Sequence, residues 1–213
     1  MINTQKISIT SKIFLLVFDT QVELSSTFLR FQEHYESPKF RNKIFSLEEF
    51  KEWYIKDQGK FSYYTDWNGF NIPSKILKPF YEGKFNPLSE KEKQLLSLFK
   101  NIKGNFYIIG VHRKHKSIPD LLNHEIAHGL FYTDKEYKNK ASGIIKKYDT
   151  TKIQNELSSK GGYHKSVLLD EVHAYGSEIR HGLKSRFPKE MRLELKANYK
   201  AYLEKNKAIV PKI

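Results

Sequence analysis

Two histidines four residues apart, with a glutamate directly after the first, are the part of this chain best suited to chemistry. They are His124, Glu125 and His128, in the run Leu121-Leu-Asn-His-Glu-Ile-Ala-His-Gly-Leu130. On a helix, residues four apart lie one turn above each other on one face, so both imidazoles can reach a single metal ion. Zinc takes histidine nitrogen at about 2.0–2.1 Å. Glu125 is turned by about 100° from His124, which sets it beside the ion as a proton acceptor for water rather than as a ligand. A catalytic zinc needs a third protein ligand and an open position. Glu171, Asp170, Asp134, His164 and His173 are the candidates.

The flanks suit a helix start. Ser117 or Ile118 can cap it, Pro119 fits a first turn, and Asp120 complements the helix dipole. Before the motif, residues 105–111 are β-branched and aromatic and read as a strand. After it, helices are expected over 119–132, 134–148, 152–158, 166–180 and 189–204, with a loop at Gly161-Gly-Tyr-His164.

The N-terminal hundred residues read as mixed. Residues 6–18 alternate and then run apolar, which suggests a strand or a short buried element. Ser46-Leu-Glu-Glu49 and Ser89-Glu-Lys-Glu92 are capping boxes. The first should open a helix over about 47–56 that buries Phe50 and Tyr54 near Trp53, with Phe45 and Phe50 as its staple. The second should bury Leu95, Leu96 and Phe99. Residues 61–73 are aromatic and turn-rich, with Asn68-Gly69 as a turn signal whose flanking aromatics could form a hairpin or a substrate-facing loop; core aromatics around the turn are preferred over a binding loop. The fold class is α+β, one zincin-like domain over 1–213, with a mixed part (1–100) and then the strand, motif helix and later helices (101–213).

A strand, the motif helix and a later helix bearing an acid are together similar to the zincin metallopeptidases, over about 105–175. The resemblance implies a zinc metallopeptidase acting on a peptide or protein substrate, with Zn2+ as cofactor and residues 105–111 as an edge strand aligning an extended peptide. Glu171, on the helix 43 residues after His128, resembles the third ligand of the gluzincin branch. Asp134 stands where metzincins place theirs, but Phe131 occupies the position where that branch needs glycine. Thr133-Asp-Lys-Glu136 also reads as a capping box, which makes Asp134 a helix start. Glu171 is therefore preferred. Gluzincins often carry an acid four residues after that glutamate; here the position is Tyr175. Tyr175, His164, Tyr163 and His173 are candidates to stabilise the oxyanion, and Asp170 could orient a ligand histidine. His34, His112, His115 and His181 have no ligand spacing, and His112 and His115 read as solvated loop residues.

Composition narrows the rest. Cysteine is absent, which excludes disulfides, thiolate metal sites and cysteine nucleophiles. The net charge of +13 raises nucleic acid as a partner, but 31 Lys against 6 Arg, scattered along the chain, favour a solvated surface instead. Ile13–Phe18 is too short for a signal or a membrane span, so a cytoplasmic protein without membrane contact is expected. Two rivals stand beside the hydrolase: an inactive zincin-like binding module, and a basic protein that binds nucleic acid or an acidic partner.

Overall fold

The computed structural model describes residues 3–37, 39–115, 118–161, 167–177 and 187–211. It is a mixed α+β structure with a small four-stranded sheet near the N-terminus and a helical C-terminal half. In chain order the elements are β1 (Thr4–Ser8), β2 (Ile13–Phe18), α1 (Gln21–Glu36), α2 (Leu47–Gln58), α3 (Tyr63–Asp66), β3 (Gly69–Pro73), a 3-10 turn (Ser74–Leu77), α4 (Lys78–Tyr81), α5 (Glu90–Phe99) and β4 (Tyr107–His112). Then come α6 (Ile118–Thr133), α7 (Lys135–Ile145), α8 (Thr151–Gly161), α9 (Leu168–Ser177) and α10 (Lys189–Lys205). The chain divides into two compact units. One is Met1–Ile7 with Leu15–Lys116, the other Ser8–Phe14 with Ser117–Ile213. Among the described residues no helix is long and apolar enough to cross a membrane.

In the first unit the capping boxes form as expected. Ser46 accepts from the Glu49 amide while Glu49 accepts from the Ser46 amide, and α2 runs to Gly59, whose φ of 78° closes the helix. Ser89 and Glu92 repeat the arrangement at α5, with Leu95, Leu96 and Phe99 buried. Phe50 is buried in α2, while Trp53 and Tyr54 are half-buried.

Helix α1, which the sequence reading passed over, is the organising element of this unit. Thr20 caps it by accepting from the Glu23 amide, and Leu24, Phe28 and Phe31 form its buried stripe. Phe28 stacks on Phe70 of β3 with centroids 5.5 Å apart. Across the β3–β4 pair Phe70 lies opposite Gly110, and a Cβ there would come within 2.7 Å of both Leu24 and Phe28. Glycine at 110 is what lets α1 approach β4 so closely.

Three expectations are corrected here. The sheet order is β1-β2-β4-β3, so β4 is a central strand, every residue of it buried, and not an open edge for a peptide. Asn68-Gly69 does not turn a hairpin; it leads into β3, which pairs antiparallel with the distant β4. His112 is not a solvated loop residue. It ends β4, only 5% exposed, with Nε2 3.2 Å from Asn68 Oδ1. His34 is also a core residue, its Nδ1 2.8 Å from the Lys43 carbonyl.

Candidate metal centre

All residues of the centre belong to the second unit. Helix α6 carries the motif and is buried on nearly every side, from Ile118 and Leu121 through Leu130 and Phe131. Such a helix cannot place polar groups inward without giving them partners. Yet His124, Glu125 and His128 are only 4–6% exposed. Pro119 sits in its first turn, as its fixed φ favours.

Helix α9 supplies the opposing acid. Glu171, Val172, His173 and Ala174 are buried, whereas Asp170 and Tyr175 are half-buried. Gly176 lies against α10, where an added Cβ would come within 2.5 Å of Leu195. Tyr199 of α10 donates to the Asn123 carbonyl at 3.3 Å, tying the same helix to α6.

The donor atoms of His124, His128 and Glu171 converge. The two Nε2 atoms are 3.2 Å apart, His128 Nε2 is 3.6 Å from Glu171 Oε1, and His124 Nε2 is 3.9 Å from Glu171 Oε2. A tetrahedral ion with bonds of about 2.0–2.1 Å has ligand atoms roughly 3.3 Å apart; the two imidazole nitrogens meet that spacing, and one donor atom from each of the three residues lies within 4.8 Å of the others. The chemistry of the donors agrees. His128 Nδ1 lies 3.0 Å from Asp170 Oδ1 and donates to it, so Nε2 is the atom that faces His124 Nε2. Two imidazole lone pairs at that separation repel unless a cation or a proton stands between them. Imidazole nitrogen and carboxylate oxygen are donors that a divalent cation such as zinc accepts, and the three residues could hold one.

Burial by itself pushes His128 down, but the carboxylates of Asp170, Glu171 and Glu125 outweigh it and hold the group well above the ordinary imidazole value. For Asp170, burial pushes up, and His128 and His173 beside it more than offset this, leaving the carboxyl well below the usual range. Burial lowers His173 despite the partly offsetting hydrogen bond to Asp170.

The remaining candidates fall into place. Among the described residues, His124, His128 and Glu171 form the group able to hold a metal. Asp134 accepts from the Tyr137 amide at 3.0 Å and caps α7. The box at Thr133 is corrected by one residue: Thr133 ends α6 and donates to the Gly129 carbonyl instead. His173 lies behind the ligands, with Nε2 2.6 Å from the Tyr137 hydroxyl. The Tyr175 ring lies 4.6 Å from the His124 ring, tilted by 59°. Tyr163, His164 and His181 lie outside the described residues. The sequence reading missed Tyr137, whose partner is 36 residues away. Only its place on the buried stripe of α7, with Ala141 and Ile145, hinted at it.

No protein-family model matches the chain, and neither a curated protein nor a solved structure does.

Proposed function

We propose that the chain is a zinc-dependent hydrolase of the zincin type, a metallopeptidase cleaving a peptide or other amide bond. The observation that carries the reading is the convergence of His124 Nε2, His128 Nε2 and a Glu171 carboxylate oxygen within 4.8 Å of one another, with Glu125 on the same helix. His124, His128 and Glu171 would hold the ion, which when bound polarises a carbonyl and makes water more acidic. Glu125 takes a proton from water and returns it to the leaving amine. Asp170 keeps the His128 Nδ1 proton and with it the ring's orientation, the usual task of a carboxylate behind a ligand histidine. Among the described residues Tyr175, its ring beside that of His124, is the candidate to steady the developing oxyanion or the His124 ring.

Deep burial of all three ligands and of Glu125 favours one second reading, a zincin-like module whose metal is structural. The first test is metal content. Protein purified without chelator is expected to hold about one zinc per chain. His124→Ala and Glu171→Ala should lose it, and Asp134→Ala should keep it because its carboxylate caps α7. Wild-type protein that holds no zinc and takes none up on titration would overturn both readings. Loss of zinc in Asp134→Ala, with the metal retained in Glu171→Ala, would overturn the ligand assignment.

A further inference from the structure

Behind the ligands the polar contacts continue into the core. Asp170 Oδ1 serves two imidazoles, His128 Nδ1 at 3.0 Å and His173 Nδ1 at 3.4 Å. His173 is fully buried. It stacks on Phe131 with centroids 4.8 Å apart and meets the edge of Tyr137, and its Nε2 is 2.6 Å from the Tyr137 hydroxyl. Tyr137 is itself fully buried.

These contacts fix the direction of every proton in the chain. A neutral imidazole has one N–H. With its Nδ1 facing a carboxylate, His173 must carry the proton there, because a lone pair would be repelled. Nε2 is then bare and accepts from the Tyr137 O–H. Asp170 Oδ1 is thus held from two sides, and His128 can satisfy it only by donating Nδ1–H. In the neutral ring that choice leaves Nε2 bare, facing His124 and Glu171.

We propose that Tyr137 and His173 are positioning residues of the metal centre, joined in a hydrogen-bond chain Tyr137–His173–Asp170–His128 that runs from α7 through α9 to α6 and sets the ligand tautomer of His128. The inference rests on the metal reading above. It reaches two layers beyond the ligands, to residues whose only other role would be filling the core.

Zinc titration against a competing chelator and 15N spectroscopy of the imidazoles, both on the full chain, test it together. His173→Phe keeps a ring on Phe131 but removes both nitrogens, and zinc affinity is expected to fall about tenfold, as for other supporting partners of ligand histidines. His173→Asn restores an N–H near the Nδ1 position and should recover most of that loss. Tyr137→Phe removes only the hydroxyl and should fall between the two. Wild-type His173 should appear as the Nδ1–H tautomer. A folded His173→Phe with wild-type zinc affinity overturns the inference, and so does an Nε2–H tautomer in the wild type, which decides the matter even if His173→Phe does not fold. Wild-type protein that takes up no zinc overturns the metal reading itself, a result distinct from normal zinc binding in all three variants.

Discussion

Glu125→Gln should leave zinc content at the wild-type level while lowering hydrolysis of a susceptible peptide by about 10²–10⁴-fold, the usual worth of a positioned general base. The substitution is nearly isosteric, so a side chain that is 6% exposed inside α6 suffers little change in packing. It removes the carboxylate that can accept a proton, and it adds an amide that can only donate or accept through a weaker oxygen. The ligand triangle of His124, His128 and Glu171 is untouched. Activity measured on a peptide library, beside metal analysis of the same preparation, separates the outcomes. Undiminished cleavage by Glu125→Gln would sink the assigned role. Zinc held equally by both proteins with no cleavage by either would favour the structural-metal module.

Arg30→Met should be the most damaging single change in the first unit, costing about 3–5 kcal/mol of stability. Arg30 Nε and Nη2 grip Glu92 Oε1 and Oε2 at 2.6 and 2.5 Å, while Nη1 and Nη2 donate to the carbonyls of Phe85 and Pro87 at 3.0 and 3.1 Å. Both side chains of the ion pair are at most 7% exposed. Glu92 also accepts from the Ser89 amide at 2.7 Å, so the same carboxylate closes the capping box of α5. Methionine fills much of the volume but leaves a buried charge and two carbonyls without their donor. The cost of stranding those groups exceeds the net worth of the pair. Urea denaturation reads the loss, and a change below about 1 kcal/mol, as for an exposed pair, would show that the ion pair contributes little. Zinc content of the folded variant should be normal, since the three ligands all belong to the other unit.

Local signals in the sequence were reliable where the physics is local. A serine followed three residues later by glutamate specified both α2 and α5, because the cap is a contact between neighbours in the chain. The four-residue spacing of His124 and His128 likewise needed only a helix to put both rings on one face. Helix α1 has equally local signals in Thr20, Glu23 and the stripe of Leu24, Phe28 and Phe31. The placement of β4 was different. Strand order is settled by partners far away in sequence, and only the apolar run at 107–111, without polar alternation, speaks for a central position. Glu171 could be singled out by its distance from the motif and by family resemblance. The chain from His128 through Asp170 and His173 to Tyr137 could not, because it joins three helices through side chains that look in sequence like ordinary core and surface residues.

The separation of the ligands has a mechanical meaning for this cysteine-free chain. His128 and Glu171 stand 43 residues apart, and a cation bonded to both would close that stretch into a loop, as a disulfide does elsewhere. Disulfides closing loops of this order stabilise by roughly 2–4 kcal/mol, largely by restricting the unfolded chain. A metal that binds only the folded form adds about 2.7 kcal/mol when free metal exceeds its dissociation constant a hundredfold. The second unit would therefore be fastened by its metal, with melting temperature rising and falling with free zinc, whether or not the same ion ever meets a substrate.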